Sequence, residues 1–345
     1  MIFLEKWNKK SLSLASILLI AILWICYEIK IYFPIRSHQM NEYTQHVKTV
    51  CVGRYLWDIP QQASVGPFSQ KINNINIERL PEQTSSNEVF ALQLQGYEMA
   101  LRKELAAEED SQIGEILPLG EAGKMFTYFV RDSNHNVTHI RAYLKVDKVI
   151  LQLTSDTTDK YRDSEMASYR SLAAALKPRT ENEVPDKPGL CIDGAFVAGI
   201  KFDDENVGLS FSLPGYLGFS MGFSATPGHE PDDDQKLNAR VTGSWQAMGI
   251  PNLLDIKRKT SISLMGQSGN ELMTIGKEKN MRFLDAQAEL WGDDSMEKQS
   301  LDFSMNNNTH SLGDRTAYPK ILENDTAIAI WDAALQTVKH RPGAL

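Results

Sequence analysis

The hydrophobic positions of the chain first form one continuous run close to the N-terminus. The run extends from Ser11 to Tyr27 without a charged residue, and lysines precede it. About 17 helical residues cover roughly 25 Å, near the lower limit for crossing the apolar core of a bilayer. The pattern predicts a single transmembrane helix at residues 11–33, anchored by Ile17, Leu18, Leu19, Ile20, Ile22, Leu23 and Trp24.

The lysines before this run predict its orientation, because positive flanks stay in the cytoplasm. Residues 1–10 are therefore expected to be a cytoplasmic tail. Residues 34–47 are expected to form a polar stalk, and the rest is expected to lie outside the cytoplasm, tethered to the membrane. A cleaved signal peptide, which would release the chain, is the alternative. The residues after Cys26 contain no pair of small residues of the kind that precedes a cleavage site.

Strand and helix periods alternate in residues 48–180, which we predict to be an N-terminal α+β domain. A strand at residues 52–59 ends at Pro60, and apolar residues three and four apart predict a helix from Phe90 to Leu105. Residues 124–132, 137–146 and 149–154 are expected to form a three-stranded meander with one solvated face. A second helix is predicted at residues 158–176.

A second α+β domain is predicted at residues 188–345, after a proline-containing linker. Strand patterns occur at residues 208–213, 218–225, 261–265, 271–275, 286–291 and 301–305. A closing helix with Asn324 or Asp325 as its cap presents Ile328, Trp331, Leu335 and Val338 on one face. The predicted fold class is thus α+β, with two two-layer α/β-sandwich lobes and mainly antiparallel sheets.

The net charge is −8, and the basic residues are over-represented in the first 33 positions. The exported part is therefore strongly acidic, which argues against a nucleic-acid partner. No phosphate-binding glycine loop or dinucleotide fingerprint occurs between a strand and a helix. The sequence predicts no cofactor and no small-molecule substrate.

Only Cys51 and Cys191 lie outside the hydrophobic run. In an oxidising compartment they could form a disulfide that closes a long loop, or they could remain two separate buried thiols. Each cysteine begins a strand-like stretch in its own half of the chain, which favours the bridge.

Residues 218–222 (GFSMG) fit the G-x-S-x-G pattern of a serine hydrolase, with Ser220 as the nucleophile. Such a serine must sit on a sharp turn between a strand and a helix. Here the alternation of apolar and polar residues continues past Ser220, which favours an ordinary strand. A membrane-anchored serine hydrolase is nevertheless the alternative function.

Two acidic clusters interrupt the second half of the chain. They lack the spaced ligands and the glycine of a calcium loop, and His135 and His139 do not share a helix face. We interpret the clusters as solvated loops that could contact a partner: Asp203, Asp204, Glu205, Asp232, Asp233 and Asp234.

Three segments occur in the order and spacing of one known family. Residues 51–60 (CVGRYLWDIP) and 189–194 (GLCIDG) resemble the openings of the N- and C-terminal domains of bacterial type VI secretion immunity proteins of the Tli family. Residues 331–334 (WDAA) and 341–344 (RPGA) are similar to that family's closing helix and tail.

The resemblance implies a two-lobed, non-enzymatic periplasmic protein. It would grip a cognate Tle-type phospholipase effector and occlude its active site. The resemblance also implies a bridge between Cys51 and Cys191, with Arg54 and Asp58 fixing the surroundings of their strand. The cleft between the lobes and the acidic loops at its rim are the expected contacts with the effector.

Overall fold

The computed structural model describes residues 42–108, 111–130, 137–199, 204–241, 254–276, 283–308 and 322–345. The predicted anchor at residues 11–33 and Asp203 lie outside these ranges. Within them, no helix combines the length and the apolar character needed to cross a membrane.

The described part of the chain contains many more strands than helices. The helices are α1 (Glu42–Gln45), α2 (Asn87–Ala106), α3 (Arg162–Ala175) and α4 (Asn324–Thr337). The strands of the first half are β1 (Val47–Val52), β2 (Tyr55–Pro60), β3 (Ser64–Val65), β4 (Ser69–Ile72), β5 (Ile75–Gln83), β6 (Gln112–Leu119), β7 (Gly123–Phe129), β8 (Val137–Val146), β9 (Val149–Thr158) and β10 (Leu176–Pro178). Those of the second half are β11 (Gly189–Ile192), β12 (Ala195–Ala198), β13 (Glu205–Leu213), β14 (Tyr216–Thr226), β15 (Leu254–Leu264), β16 (Gln267–Gly276), β17 (Phe283–Leu290), β18 (Ser300–Asn308) and β19 (Lys339–His340).

One antiparallel sheet runs through both halves of the described chain. Its strand order is β15-β16-β17-β18-β14-β13-β4-β5-β9-β8-β7-β6. The two halves meet where β13 pairs with β4, with Glu205 opposite Ile72 and Gly208 opposite Ser69. The α+β class and the mainly antiparallel pairing are confirmed, whereas the expectation of one separate sheet in each lobe is wrong.

The first half has helices on both faces of its sheet. From α2, Phe90 and Leu94 pack on Phe126 and Tyr143. On the opposite face, the α3 residues Met166, Tyr169 and Leu172 pack on Ile140, Ala142 and Leu153. The predicted solvated face of β8 is therefore largely covered, and the two-layer interpretation is wrong for this half. The alternation places Tyr143 among the polar positions of the strand, but its aromatic ring is buried under α2.

The core of the second half also contains side chains of β2, a strand of the first half. Trp57 of β2 lies fully buried beside Phe211 and Phe223, with ring centroids 5.3 and 5.7 Å away. Its indole N–H donates to the Ala334 carbonyl of α4 at 3.1 Å. Val52, Tyr55, Trp57 and Ile59 thus belong to the same apolar cluster as residues of β13, β14, β17 and β18. A hairpin from the N-terminal half stabilises the C-terminal half.

Ser86 caps helix α2, and its replacement provides a first prediction. Its hydroxyl accepts a hydrogen bond from the Val89 N–H at 3.3 Å. We expect Ser86→Ala to lower the free energy of unfolding by about 1 kcal/mol, because one N–H of the first turn loses its partner. Urea unfolding measures this, and Ser85→Ala, one residue outside the cap, is the matched control. Equal effects of both substitutions would contradict a specific cap.

Candidate functional site

Ser220 does not occupy a nucleophile elbow. It lies within β14 between the buried Phe219 and Met221, and it pairs across the strands with Ser212 and Asn306. The strand continues to Thr226. The hydrolase interpretation of Ser220 is therefore wrong, because a hydroxyl on a flat sheet face is not raised above a turn. Within the described ranges, no group of His, Cys, Asp and Glu side chains is arranged to hold a metal ion.

A disulfide joins the two halves next to their shared sheet. Cys51 of β1 and Cys191 of β11 are bonded, with Cα atoms 5.7 Å apart, which confirms the predicted bridge. Beside it, Gly53 and Cys191 exchange two backbone hydrogen bonds of 2.8 Å. Gly53 has a φ of +55°, and a Cβ at this position would lie 2.3 Å from Cγ2 of Val207. Glycine is therefore required for this close approach.

A buried ion pair lies beside the disulfide. The Arg54 guanidinium donates from Nε and Nη2 to the two carboxylate oxygens of Glu205, at 2.9 and 2.7 Å. Glu205 is the first residue of β13 and is 1% exposed. The prediction that Glu205 belongs to a solvated contact loop is wrong, because its charge neutralises a buried arginine. Glu205 is accordingly not available to a partner protein.

The C-terminal tail closes over this ion pair. The Arg341 N–H donates to the Arg54 carbonyl at 2.8 Å, and the Arg341 guanidinium donates to the Gly189 carbonyl at 2.7 Å. Arg54 in turn donates to the Ala344 carbonyl. Burial lowers the pKa of Arg341, and the positive charge of Arg54 lowers it further. The disulfide, the ion pair and the tail together form what we call the junction, which fixes the two halves to each other.

The second acidic cluster forms an exposed turn held by a lysine. The carboxylates of Asp233 and Glu230 each accept from Lys236 Nζ at 2.8 Å. The same ammonium lies 4.4 Å from the ring centroid of Trp291, a favourable cation–π geometry. The contact with Lys236 lowers the pKa of Asp233. Asp232, Asp233, Asp234 and the partly buried Asp204 stay predicted contact residues.

A polar surface that the sequence analysis missed lies on the sheet face opposite α4. In β18, Leu301, Phe303 and Met305 point into the core, whereas the residues between them are exposed. The outward-facing residues, which are exposed or partly exposed, form cross-strand rows: Ser224, Asp302 and Glu289; Gly222, Ser304 and Gln287; Ser220, Asn306 and Asp285. We call this surface the outer face. The regular alternation in β17 and β18 was the signal that could have identified it.

Two carboxyl groups of the outer face have unusual titration. Partial desolvation raises the pKa of Asp285 to about 6. The pKa of Asp302 is also raised to about 6, by desolvation first and by the negative charge of Glu289 second, while Arg240 opposes the shift. An aspartate with a raised pKa is held in its charged form at neutral pH against the preference of its surroundings. The outer face is therefore electrostatically strained in the free protein.

Asp285→Asn tests this strain through the pH dependence of stability. Because the folded pKa is raised above the usual 3.8 to about 6, the stabilising proton is present below pH 4 and is lost as the pH rises to 6. We expect the variant to exceed wild type by about 1 kcal/mol at pH 7.5, after discounting for solvent screening. Thermal melting from pH 3.5 to 7.5 measures this difference. A difference that does not grow between pH 4 and 6 would contradict the raised pKa.

The fold and its exposed features are those of a two-part, disulfide-linked, β-rich binding protein. The model of the Tle cognate immunity protein 4 N-terminal domain matches residues 48–188, and that of the C-terminal domain matches residues 183–343. The chain belongs to the Tle cognate immunity protein 4 family of the type VI secretion system. As a member of this family, it is a non-enzymatic protein.

Solved structures share the fold over nearly the whole chain. A chain of the crystal structure of the Tle4–Tli4 complex matches with a TM-score of 0.73 and 20% identity, covering 88% of this chain and 99% of that one. The apo immunity protein TplEi from Pseudomonas aeruginosa matches with a TM-score of 0.69 and 21% identity, covering 86% and 97%. No curated protein sequence matches this chain.

Proposed function

We propose that this protein binds a cognate Tle-type phospholipase effector in the bacterial periplasm and blocks its active site by gripping it with both halves. The observation that carries the proposal is the match of both family domains, in order, across residues 48–343. The fold of the solved Tle4–Tli4 complex chain supports it further, since the likeness includes 99% of that chain.

The junction supports simultaneous use of the two halves. A tight protein inhibitor needs an interface of about 1,600 Å², contributed by surfaces in a fixed relative orientation. The disulfide, the Arg54–Glu205 pair and the β13–β4 pairing provide this orientation before the effector arrives. Less conformational entropy is then lost on binding, which strengthens inhibition.

Export to the periplasm is supported by two independent features. The hydrophobic run at residues 11–33 follows lysines, which is typical of a membrane segment whose C-terminal side is exported from the cytoplasm. The Cys51–Cys191 bridge belongs to an oxidising compartment. In our proposal the chain stays tethered to the inner membrane, and release after signal cleavage is the other outcome to be tested.

Co-expression tests the proposal directly. A cognate Tle-type lipase is exported to the periplasm with and without the immunity protein, and growth is recorded. We expect restored growth and a purified complex in which phospholipid hydrolysis is suppressed. Unrelieved toxicity together with the absence of a complex would reject the proposal. Mass determination of the mature protein from membrane and soluble fractions distinguishes the tethered from the released form.

A further inference from the structure

A groove crosses the outer face at the boundary between the two halves. It has a volume of about 380 Å³, and it reaches from Pro67 and Ser69 to Gln287 and Glu289. Its floor is made of short residues: Gly208, Ser210, Gly222, Ser224 and Ser304. Short side chains on adjacent strands leave room for a long side chain from another molecule. We call this groove, with Asp302 and Glu289, the acidic trough.

The two carboxylates of the acidic trough lie directly opposite each other. Asp302 of β18 pairs across the strands with Glu289 of β17. Like charges in this position destabilise a sheet. Asp285 lies four residues before Glu289 on the same face of β17, beyond the residues that line the groove, and adds a third negative charge to this face. This arrangement weakens the free protein and suits a cationic partner.

Arg240 shows how a cation can enter the trough. Its guanidinium forms an ion pair with Glu289 from the segment that follows the acidic turn. Asp302 forms no ion pair with any side chain in the described part of the chain, although it adjoins Glu289. A second long cationic side chain could therefore approach Asp302 as Arg240 approaches Glu289, with its stem lying over the serines and glycines of the floor.

We propose that the acidic trough receives a lysine or arginine side chain from an extended segment of the effector, with Asp302 as its main contact. The inference rests on the proposed function, because the occupant is a part of the inhibited lipase. The open groove, the like charges across the strands and the entry of Arg240 favour a cationic polypeptide. A charged group in this place increases the rate of association and selects the partner.

The test compares two variants with one matched control by titration calorimetry against the purified lipase. Asp285→Asn with Asp302→Asn removes two carboxylates that form no ion pair within the described ranges. We expect about a tenfold weaker affinity and a smaller dependence on salt. Asp302→Lys reverses the charge, and we expect about a hundredfold loss. The control, Asp159→Asn with Glu121→Gln, removes the same charge at exposed positions of the first half and should bind within about twofold of wild type.

A loss of affinity in the double variant would not be caused by unfolding, since removal of opposed carboxylates should preserve or raise the melting temperature. Wild-type affinity in both trough variants would overturn the inference and leave the proposed function intact. Failure of wild type itself to bind or to protect cells would reject the proposed function, and the inference with it. A melting temperature that calcium raises in wild type alone would identify a metal site instead. Self-association that the double variant abolishes would identify a second copy as the occupant, and either result overturns the inference.

Discussion

Arg54→Ala is expected to lower the free energy of unfolding by about 3–5 kcal/mol. Arg54 is fully buried and Glu205 is 1% exposed, so the substitution leaves the carboxylate of Glu205 without its cation. It also removes the hydrogen bond that holds the Ala344 carbonyl of the C-terminal tail. Urea unfolding followed by tryptophan fluorescence measures the loss, because Trp57 and Trp331 are buried in the adjoining core.

A second ion pair near the border of the halves provides the matched control for this prediction. Arg79 contacts Asp193 at 2.9 Å, but their side chains are 28% and 25% exposed. We expect Arg79→Ala to cost less than about 1 kcal/mol, because water solvates the remaining carboxylate. Replacement of both partners, Arg54→Met with Glu205→Leu, should recover much of the stability lost in Arg54→Ala. Equal losses for Arg54→Ala and Arg79→Ala would show that burial of the charge is not the cause.

The sequence predicted the elements whose pattern is local. The apolar spacing from Phe90 to Leu105 gave helix α2 almost to its ends, and the alternation in residues 137–146 gave β8. The closing helix was predicted correctly, but its cap was not: Glu323 precedes the first turn and makes no side-chain cap. Strand β6 was missed because Gly114 and Pro118 interrupt its pattern, and the register of β6 with β7 shifts between Ile113 and Ile116.

The periodicity of apolar residues could not predict the contacts between segments that are distant in the sequence. Nothing in the local pattern of Glu205 distinguishes a solvated acidic loop from the partner of a buried arginine 151 positions away. The pairing of β13 with β4 is equally non-local, and it determines that the two halves share one sheet. The disulfide was predicted because compartment and cysteine number limit the choices, which is a chemical rather than a periodic argument.

The junction stabilises the fold, whereas the carboxylates of the outer face destabilise it. At the junction, the buried Arg54 is paired with Glu205 and backbone groups are hydrogen-bonded, so the junction holds the two halves in one arrangement. On the outer face, Asp302 and Glu289 oppose each other, at a cost to the free protein. Carboxylates that weaken a fold are typical of surfaces that bind a partner of opposite charge. The structure thus combines a rigid frame with a surface adapted to binding.

Removal of the disulfide is expected to produce a loss comparable to that of Arg54→Ala. Cys51 and Cys191 are separated by 140 positions, and closing a loop of that length restricts the unfolded chain by about 5 kcal/mol in the loop-entropy model. Since measured values are commonly smaller, we expect Cys51→Ala with Cys191→Ala to cost about 2–5 kcal/mol. Alanine suits both sites because each cysteine is buried against apolar neighbours, among them Leu56 and Phe196.

Reduction provides the control for this prediction without a change of sequence. Wild type in dithiothreitol should lose the same stability as the double alanine variant, whereas the variant itself should not respond to the reductant. The paired backbone bonds between Gly53 and Cys191 remain in both cases, so the native arrangement should persist at low temperature and still bind the lipase. At 37 °C we expect protection of cells to fall as the unfolded fraction rises. A double variant as stable as oxidised wild type would show that the Arg54–Glu205 pair and the tail fix the junction without the covalent bond.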